Sequence, residues 1–178
     1  MRGFALGLAL LLAGPGLAQE APKNAPHFVK TLKAPRLEVR YLDFGWNPEA
    51  FATLEKGGDN PVGRRSWALA RLQLPWNILK WEGKIIPVGT SLLILNPKTK
   101  DTAGPTFEVR KIDMRDVFSD LNVIAEPPPG ETLGVVPAAF GQADTTAERL
   151  EMSLTDKTQT IEIAIHYGDR LATVVLAR

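Results

Sequence analysis

The stretch that decides the fold is residues 80–96, KWEGKIIPVGTSLLILN. Within it, residues 82–84 (EGK) and 87–89 (PVG) separate three short apolar runs. Glycine takes positive φ without a steric penalty and proline presets a turn, so each triplet predicts a change of chain direction. The last run, residues 91–95, is apolar on both faces, which is typical of a strand inside a sheet. We therefore predict a strand, a tight turn, a very short strand, a second turn and a buried strand.

Alternation of apolar and polar residues predicts further strands on both sides of this stretch. The alternating segments are residues 37–41, 66–74, 106–112, 150–154, 161–167 and 171–177. In residues 66–74 the even-numbered side chains, such as Ala68 and Leu72, are expected on one face and Trp67 and Arg71 on the other. Residues 167–170 (YGDR) predict a tight turn, which would make the last three strands an antiparallel meander.

One short helix is predicted, over residues 47–56. Asn47 is a favoured N-cap, Pro48 fits the first helical position, and Glu49 lies close to the positive end of the helix dipole. Two glycines, Gly57 and Gly58, follow the helix and are typical of its C-terminal end.

Short strands, frequent turns and little helix predict an all-β fold. We expect an antiparallel Greek-key β-sandwich of about seven to nine strands with one short helix. A partly open β-barrel is the alternative. The sandwich is predicted to be a single domain covering residues 36–178. Residues 19–35 contain several prolines and predict a flexible lead-in.

The first 18 residues have the pattern of a signal peptide. Arg2 precedes an apolar run at residues 4–13, and small residues at Gly16 and Ala18 come just before Gln19. The run is shorter than the about 20 residues that a membrane-spanning helix needs. We expect cleavage after residue 18, no integral membrane segment afterwards, and a periplasmic or extracellular location. An uncleaved membrane anchor is the alternative.

Composition narrows the classes of function. The chain has no cysteine, so neither disulfides nor thiol chemistry are available. It has 21 Lys and Arg against 20 Asp and Glu, and removal of Arg2 with the signal peptide leaves 20 against 20. Such a neutral protein lacks the basic excess of a nucleic-acid binder. We expect no nucleic-acid partner.

Few residues offer catalytic or metal chemistry. The two histidines, His27 and His166, do not have the spacing of metal ligands, so we expect neither a metal site nor a cofactor. No serine lies in a Gly-x-Ser-x-Gly elbow. Paired carboxylates remain open as a hydrolytic site, with Asp43, Glu49 or Asp113 as candidates.

The tryptophans are the most suggestive residues. Trp46, Trp67, Trp76 and Trp81 all lie in the first half of the chain. Exposed tryptophans on a sandwich can stack on sugar rings or cover a hydrophobic groove. We predict a ligand-binding face with Trp67, Trp76 and Trp81, beside which Arg65 could bind an acidic group. In the alternative interpretation these rings fill the ends of the sandwich.

Residues 83–92, GKIIPVGTSL, match a signature of the form Gly-Lys-x-(Leu/Ile)-Pro-(Ala/Val)-Gly-Thr-x-Ser-Leu apart from one position. With them the chain resembles, over about residues 60–178, a family of uncharacterised secreted bacterial domains, domain of unknown function twenty-nine eleven. The resemblance implies a sandwich-like fold and export, and no particular activity. Members carry a tryptophan-arginine-threonine-glycine-alanine-asparagine run ahead of the signature, where this chain has RRSWA at residues 64–68.

Together these patterns predict a secreted or periplasmic, non-catalytic β-sandwich that acts as a binding or structural module. Its expected partner is a glycan or an envelope protein. The rival hypothesis is a hydrolase of cell-envelope polysaccharide that uses paired carboxylates.

Overall fold

The computed structural model describes residues 28–57, 65–76, 78–113 and 127–178. In these ranges the chain forms ten strands and one helix, and every pairing between strands is antiparallel. The elements are β1 Val29–Ala34, β2 Leu37–Leu42, α1 Pro48–Lys56, β3 Trp67–Leu74, β4 Leu79–Trp81, β5 Lys84–Ile86, β6 Gly89–Asn96, β7 Thr106–Lys111, β8 Glu131–Pro137, β9 Gly141–Asp156 and β10 Thr160–Ala177.

The strands form two sheets. One has six strands in the order β1-β2-β3-β6-β7-β8, and the other has four in the order β5-β4-β10-β9. Apolar side chains from both sheets, with Phe51 and Leu54 of α1, make one buried core. The predicted all-β sandwich with a short helix is therefore confirmed, and the described strands do not close into a barrel. The strand count exceeds the predicted range of about seven to nine.

Residues 80–96 fold as predicted. Glu82 and Gly83, with φ of 47° and 75°, turn the chain from β4 into β5, and Gly89 has φ of 120° where β6 begins. β6 lies between β3 and β7 inside the six-stranded sheet. Both of its faces are buried, because Leu93 and Leu95 belong to the main core while Leu92 and Ile94 belong to a second apolar cluster on the opposite face.

The predicted helix is confirmed as well. The side chain of Asn47 accepts a hydrogen bond from the Ala50 N–H at 3.0 Å, Pro48 starts the helix, and Gly57 ends it with φ of 66°. Phe51 and Leu54 turn one side of this helix towards the core.

β1 lies in the segment that we predicted as a flexible lead-in, residues 19–35. Val29–Ala34 pairs with β2 along its whole length, and Leu32 packs against the core. Pro35, which we included in the lead-in, forms the tight turn of this hairpin together with Arg36. Residues 19–27 of the lead-in and the predicted signal peptide lie outside the described residues.

A bulge in β3 changes the predicted strand pattern, whereas the predicted turn in β10 is present. In β3, Leu69 is an extra residue between the pairs Ala68–Ile94 and Ala70–Leu93, so Ala68 and Ala70 lie on opposite faces. The predicted turn at residues 167–170 is present. Gly168 has φ of +63°, and the Arg178 N–H donates a hydrogen bond to the Gln159 carbonyl at 3.1 Å, so the two halves of the 18-residue β10 fold back beside each other. The last two predicted strands are therefore the two halves of β10.

Candidate functional site

Two connections between the sheets lie side by side at one end of the sandwich. Leu74, the last residue of β3, pairs with Gly89, the first residue of β6. Leu79 of β4 pairs with Ile86 of β5 in the other sheet. The chain therefore crosses to the four-stranded sheet after Leu74. It returns to the six-stranded sheet just before Gly89, next to the first crossing.

These crossings expose large apolar side chains. Trp76 is 64% exposed and Ile78 is 51% exposed on the first crossing, and Val88 is 47% exposed on the second. Ile85 of β5 is 56% exposed and lies opposite Lys80 of β4. A large apolar side chain gains free energy when it leaves water, so several in one place indicate a contact surface.

Basic groups accompany the apolar side chains. The guanidinium of Arg36, in the turn between β1 and β2, lies 5.9 Å from the centroid of the Trp76 ring. Lys80 is exposed on β4, next to Ala177 of β10. Among the described residues neither Arg36 nor Lys80 makes an ion pair. We call Arg36, Trp76, Ile78, Lys80, Ile85 and Val88 the crossover surface.

Three acidic residues around this surface have cationic partners, and a fourth, Glu82 in the turn between β4 and β5, is offset by the nearby exposed Lys84. Glu38 pairs with Lys33 at 3.3 Å and with Arg71 at 3.4 Å. Asp156 pairs with Arg178, and Glu162 pairs with Lys157 at 2.6 Å. The charges of Arg36 and Lys80 are therefore in excess on this part of the protein.

The structure separates the four predicted binding residues. Of these, only Trp76 lies in the crossover surface. Trp81 is 3% exposed and belongs to the core, and Trp67 is half-buried. Arg65 is exposed, but it precedes β3 and so lies at the opposite end of that strand from Trp76. Alternating sequence patterns could not show this separation, since they do not reveal which tryptophan leaves the core.

Trp67 belongs to an aromatic cluster beneath α1. The ring centroid of Tyr167 lies 6.1 Å from that of Trp67, 5.1 Å from that of Phe44 and 4.6 Å from that of Trp46. Phe51 of α1 also contacts these rings. Burial raises the pKa of the Tyr167 hydroxyl, which donates a hydrogen bond to the Gly45 carbonyl at 2.8 Å. This cluster corresponds to the alternative interpretation, in which large rings fill the end of the sandwich.

Trp81 lines a cleft of about 330 Å³ between the two sheets. Its walls come from β4, β8 and β10, with Phe107 of β7 also lining it and Glu82 as the one charged residue of the lining. Neither Trp76, Ile78 nor Val88 lines this cleft, so it is distinct from the crossover surface.

The three carboxylates of the hydrolase hypothesis lie in separate elements. Asp43 is buried and accepts hydrogen bonds from the Phe28 N–H at 2.6 Å and from Arg149 at 3.1 Å. Glu49 is exposed in the first turn of α1, and Asp113 is exposed after β7. Within the described ranges, no group of three His, Asp or Glu side chains could hold a metal ion.

A buried carboxylate that the sequence did not single out is Glu108 in β7. It accepts hydrogen bonds from Asn96 at 2.9 Å, from Arg110 at 2.8 and 3.1 Å, and from Thr132 at 2.8 Å. Burial tends to raise the pKa of Glu108, but the hydrogen bonds and the charge of Arg110 outweigh it and hold the pKa below 4.5. All of these partners stabilise the ionised form, which makes Glu108 a structural residue.

No family model, no curated protein and no solved structure matches this chain. The resemblance to the family of secreted bacterial domains stays a prediction. In the part of the chain that the structure describes, no helix has the length and hydropathy needed to cross a membrane. We therefore infer function from the geometry of this chain.

Proposed function

We propose that this protein is an exported, non-catalytic binding module that contacts a component of the cell envelope through the crossover surface. The observation that carries the proposal is the exposure of Trp76, Ile78 and Val88 on two adjacent crossings, beside Arg36 and Lys80, which make no ion pair with any residue that the structure describes. The signal-peptide pattern of residues 1–18 supports export to the periplasm or the cell exterior.

The placement of the side chains supports binding at this surface. Trp67 and Trp81 are held among core residues, where they stabilise the sandwich. Trp76 has no such role, since it is the most exposed large apolar residue in the described ranges. Tryptophan and arginine are the residues that most often dominate binding energy at interfaces, and Trp76 and Arg36 are in contact.

Binding to the cell-envelope fraction of the organism that produces the protein tests the proposal. The purified protein is mixed with that fraction and sedimented, and the bound share is measured. We expect Trp76→Ala to weaken binding by about tenfold, as for an interface residue worth somewhat more than 1 kcal/mol. The matched control is Leu171→Ser, because Leu171 is 42% exposed but lies on β10 six residues before Ala177, which pairs with Lys80 of the crossover surface. Equal binding by wild type and Trp76→Ala would overturn the proposal.

A further inference from the structure

We propose that the component bound by the crossover surface is an anionic lipid surface. This inference rests on the proposed function and adds the chemical class of the partner. It follows from the arrangement of the apolar side chains, from the local excess of positive charge and from the pairing of tryptophan with arginine.

The apolar side chains are arranged for shallow insertion. Trp76 and Ile78 follow one strand end, and Val88 precedes the neighbouring one, so that all three lie on connections at one end of the sandwich. They do not line the cleft described above. Side chains on adjacent connections can enter the boundary between lipid headgroups and acyl chains together, while the strands behind them stay in water.

The charges of this end favour an anionic partner. Glu38, Asp156 and Glu162 are each neutralised by a basic neighbour, and the charge of Glu82 is offset by Lys84. Arg36 and Lys80, in contrast, make no ion pair within the described part of the chain. Lys80 lies directly opposite the exposed Ile85, so its ammonium and that apolar side chain face the same side of the sheet. Anionic headgroups attract such cations by about fivefold in affinity for each charge.

Trp76 and Arg36 form the pair best suited to the lipid boundary. Indole rings concentrate at the level of the headgroups, because one part of the ring is apolar and its N–H is polar. A guanidinium held near that ring, here 5.9 Å from its centroid, can make two parallel hydrogen bonds to a phosphate. Trp76 would thus anchor the protein in the lipid boundary, while Arg36 would bind a headgroup phosphate beside it.

The experiment uses the mature protein, purified after export so that residues 1–18 do not themselves enter a bilayer. It is added to vesicles of phosphatidylcholine with phosphatidylglycerol and to vesicles of phosphatidylcholine alone. Sedimentation measures binding, and the tryptophan emission spectrum measures insertion. We expect binding to the anionic vesicles with a shift of the emission to shorter wavelengths. The shift should come from Trp76, because Trp81 is buried and Trp46 and Trp67 are half-buried.

Substitutions in the crossover surface test which of its side chains contribute to binding. Trp76→Ala should abolish the shift and weaken binding by about tenfold, and Trp76→Phe should recover part of the binding. Arg36→Gln and Lys80→Gln should each weaken binding by about fivefold. Leu171→Ser should bind like wild type. Thermal unfolding of each variant confirms that the fold is retained.

Two results would overturn this inference. One is failure to bind the anionic vesicles, and the other is binding that Trp76→Ala and Lys80→Gln leave unchanged. If the protein does not bind the vesicles but binds a delipidated envelope fraction in a Trp76-dependent way, the partner is a protein or a glycan. In that case only the lipid inference fails. If Trp76 matters in neither experiment, the proposed function fails too.

Discussion

At the scale of single residues, Gly168 shows how the packing of several side chains can depend on one backbone position. Its φ of +63° permits the turn in β10, and a Cβ built on it would lie 2.1 Å from the indole of Trp46. Because both the conformation and the space require glycine, the aromatic cluster beneath α1 depends on this residue.

We predict that Gly168→Ala lowers the free energy of unfolding by at least about 2 kcal/mol, because it adds backbone strain and a steric clash. Urea denaturation measures the change. The matched control is Gly104→Ala, since a Cβ at Gly104 meets no atom within 4 Å and should change stability by less than about 1 kcal/mol. Equal effects of the two substitutions would contradict the account.

Glu108 predicts a pH dependence. Its pKa in the folded protein is below the ordinary 4.5, so ionised Glu108 stabilises the fold above about pH 4.5. That contribution is lost as the pH falls through the folded-state pKa. Glu108→Gln should therefore be less stable than wild type at neutral pH, by about 1–3 kcal/mol. The difference should shrink as the pH falls below 4.5, and denaturation at a series of pH values measures it. A difference that does not change with pH would contradict this role.

At the scale of elements, the helix α1 closes the end of the sandwich over the aromatic cluster. Its N-cap is Asn47, whose side chain accepts from the Ala50 N–H at 3.0 Å. We predict that Asn47→Ala lowers the free energy of unfolding by about 1 kcal/mol, because that N–H loses its partner. Asn47→Asp keeps an acceptor and should stay close to wild type in thermal denaturation. An equal loss of stability in Asn47→Ala and Asn47→Asp would show that the N-cap hydrogen bond is not the cause of the destabilisation.

The sequence predicts elements well where local chemistry decides them. The turns at residues 82–84 and 87–89 contain glycine or proline that the backbone requires, and the cap and end of α1 are local as well. The bulge at Leu69 could not be predicted in this way, because alternation with period two assumes a regular strand. The turn at residues 167–170 was predicted from the composition of Gly168-Asp169, but the packing of Trp46 against Gly168 was not.

The candidate site, like the fold, could be predicted from the sequence only in part. Composition identified the tryptophans, but burial decides which of them can bind, and burial depends on the pairing of strands that are distant in sequence. Trp81 and Trp76 are five positions apart, yet the first is 3% exposed and the second 64%. Arg36 lies in a hairpin that the proline-rich composition of residues 19–35 did not predict.

At the scale of the whole molecule, residues 43–46 tie the two sheets together. Gly45 pairs with Arg149 of β9, and the Trp46 N–H donates to the Glu148 carbonyl at 2.8 Å. Arg149 donates to the carbonyl of Asp43 at 2.8 Å and to its carboxylate at 3.1 Å. The side chain of Asp43 thus links the end of β2 to the other sheet.

We predict that Asp43→Ala lowers the free energy of unfolding by about 2–4 kcal/mol, since it removes the carboxylate that pairs with Arg149 and accepts from the Phe28 N–H. A double-mutant cycle with Arg149→Ala measures the coupling in urea. The double variant should lose less stability than the sum of the two single variants. Glu49→Gln is the control, because Glu49 is exposed in α1. Strict additivity would contradict the link between the sheets.

The central claim is that binding occurs at the crossover surface, and hydroxyl-radical footprinting tests it most directly. The wild-type protein is oxidised alone and with the envelope fraction, and modification at each side chain is measured by mass spectrometry. We predict that the bound protein is protected at Trp76, Ile78, Ile85 and Val88, while Leu171 stays as reactive as in the free protein. Protection confined to other residues, with Trp76 unchanged, would contradict the claim.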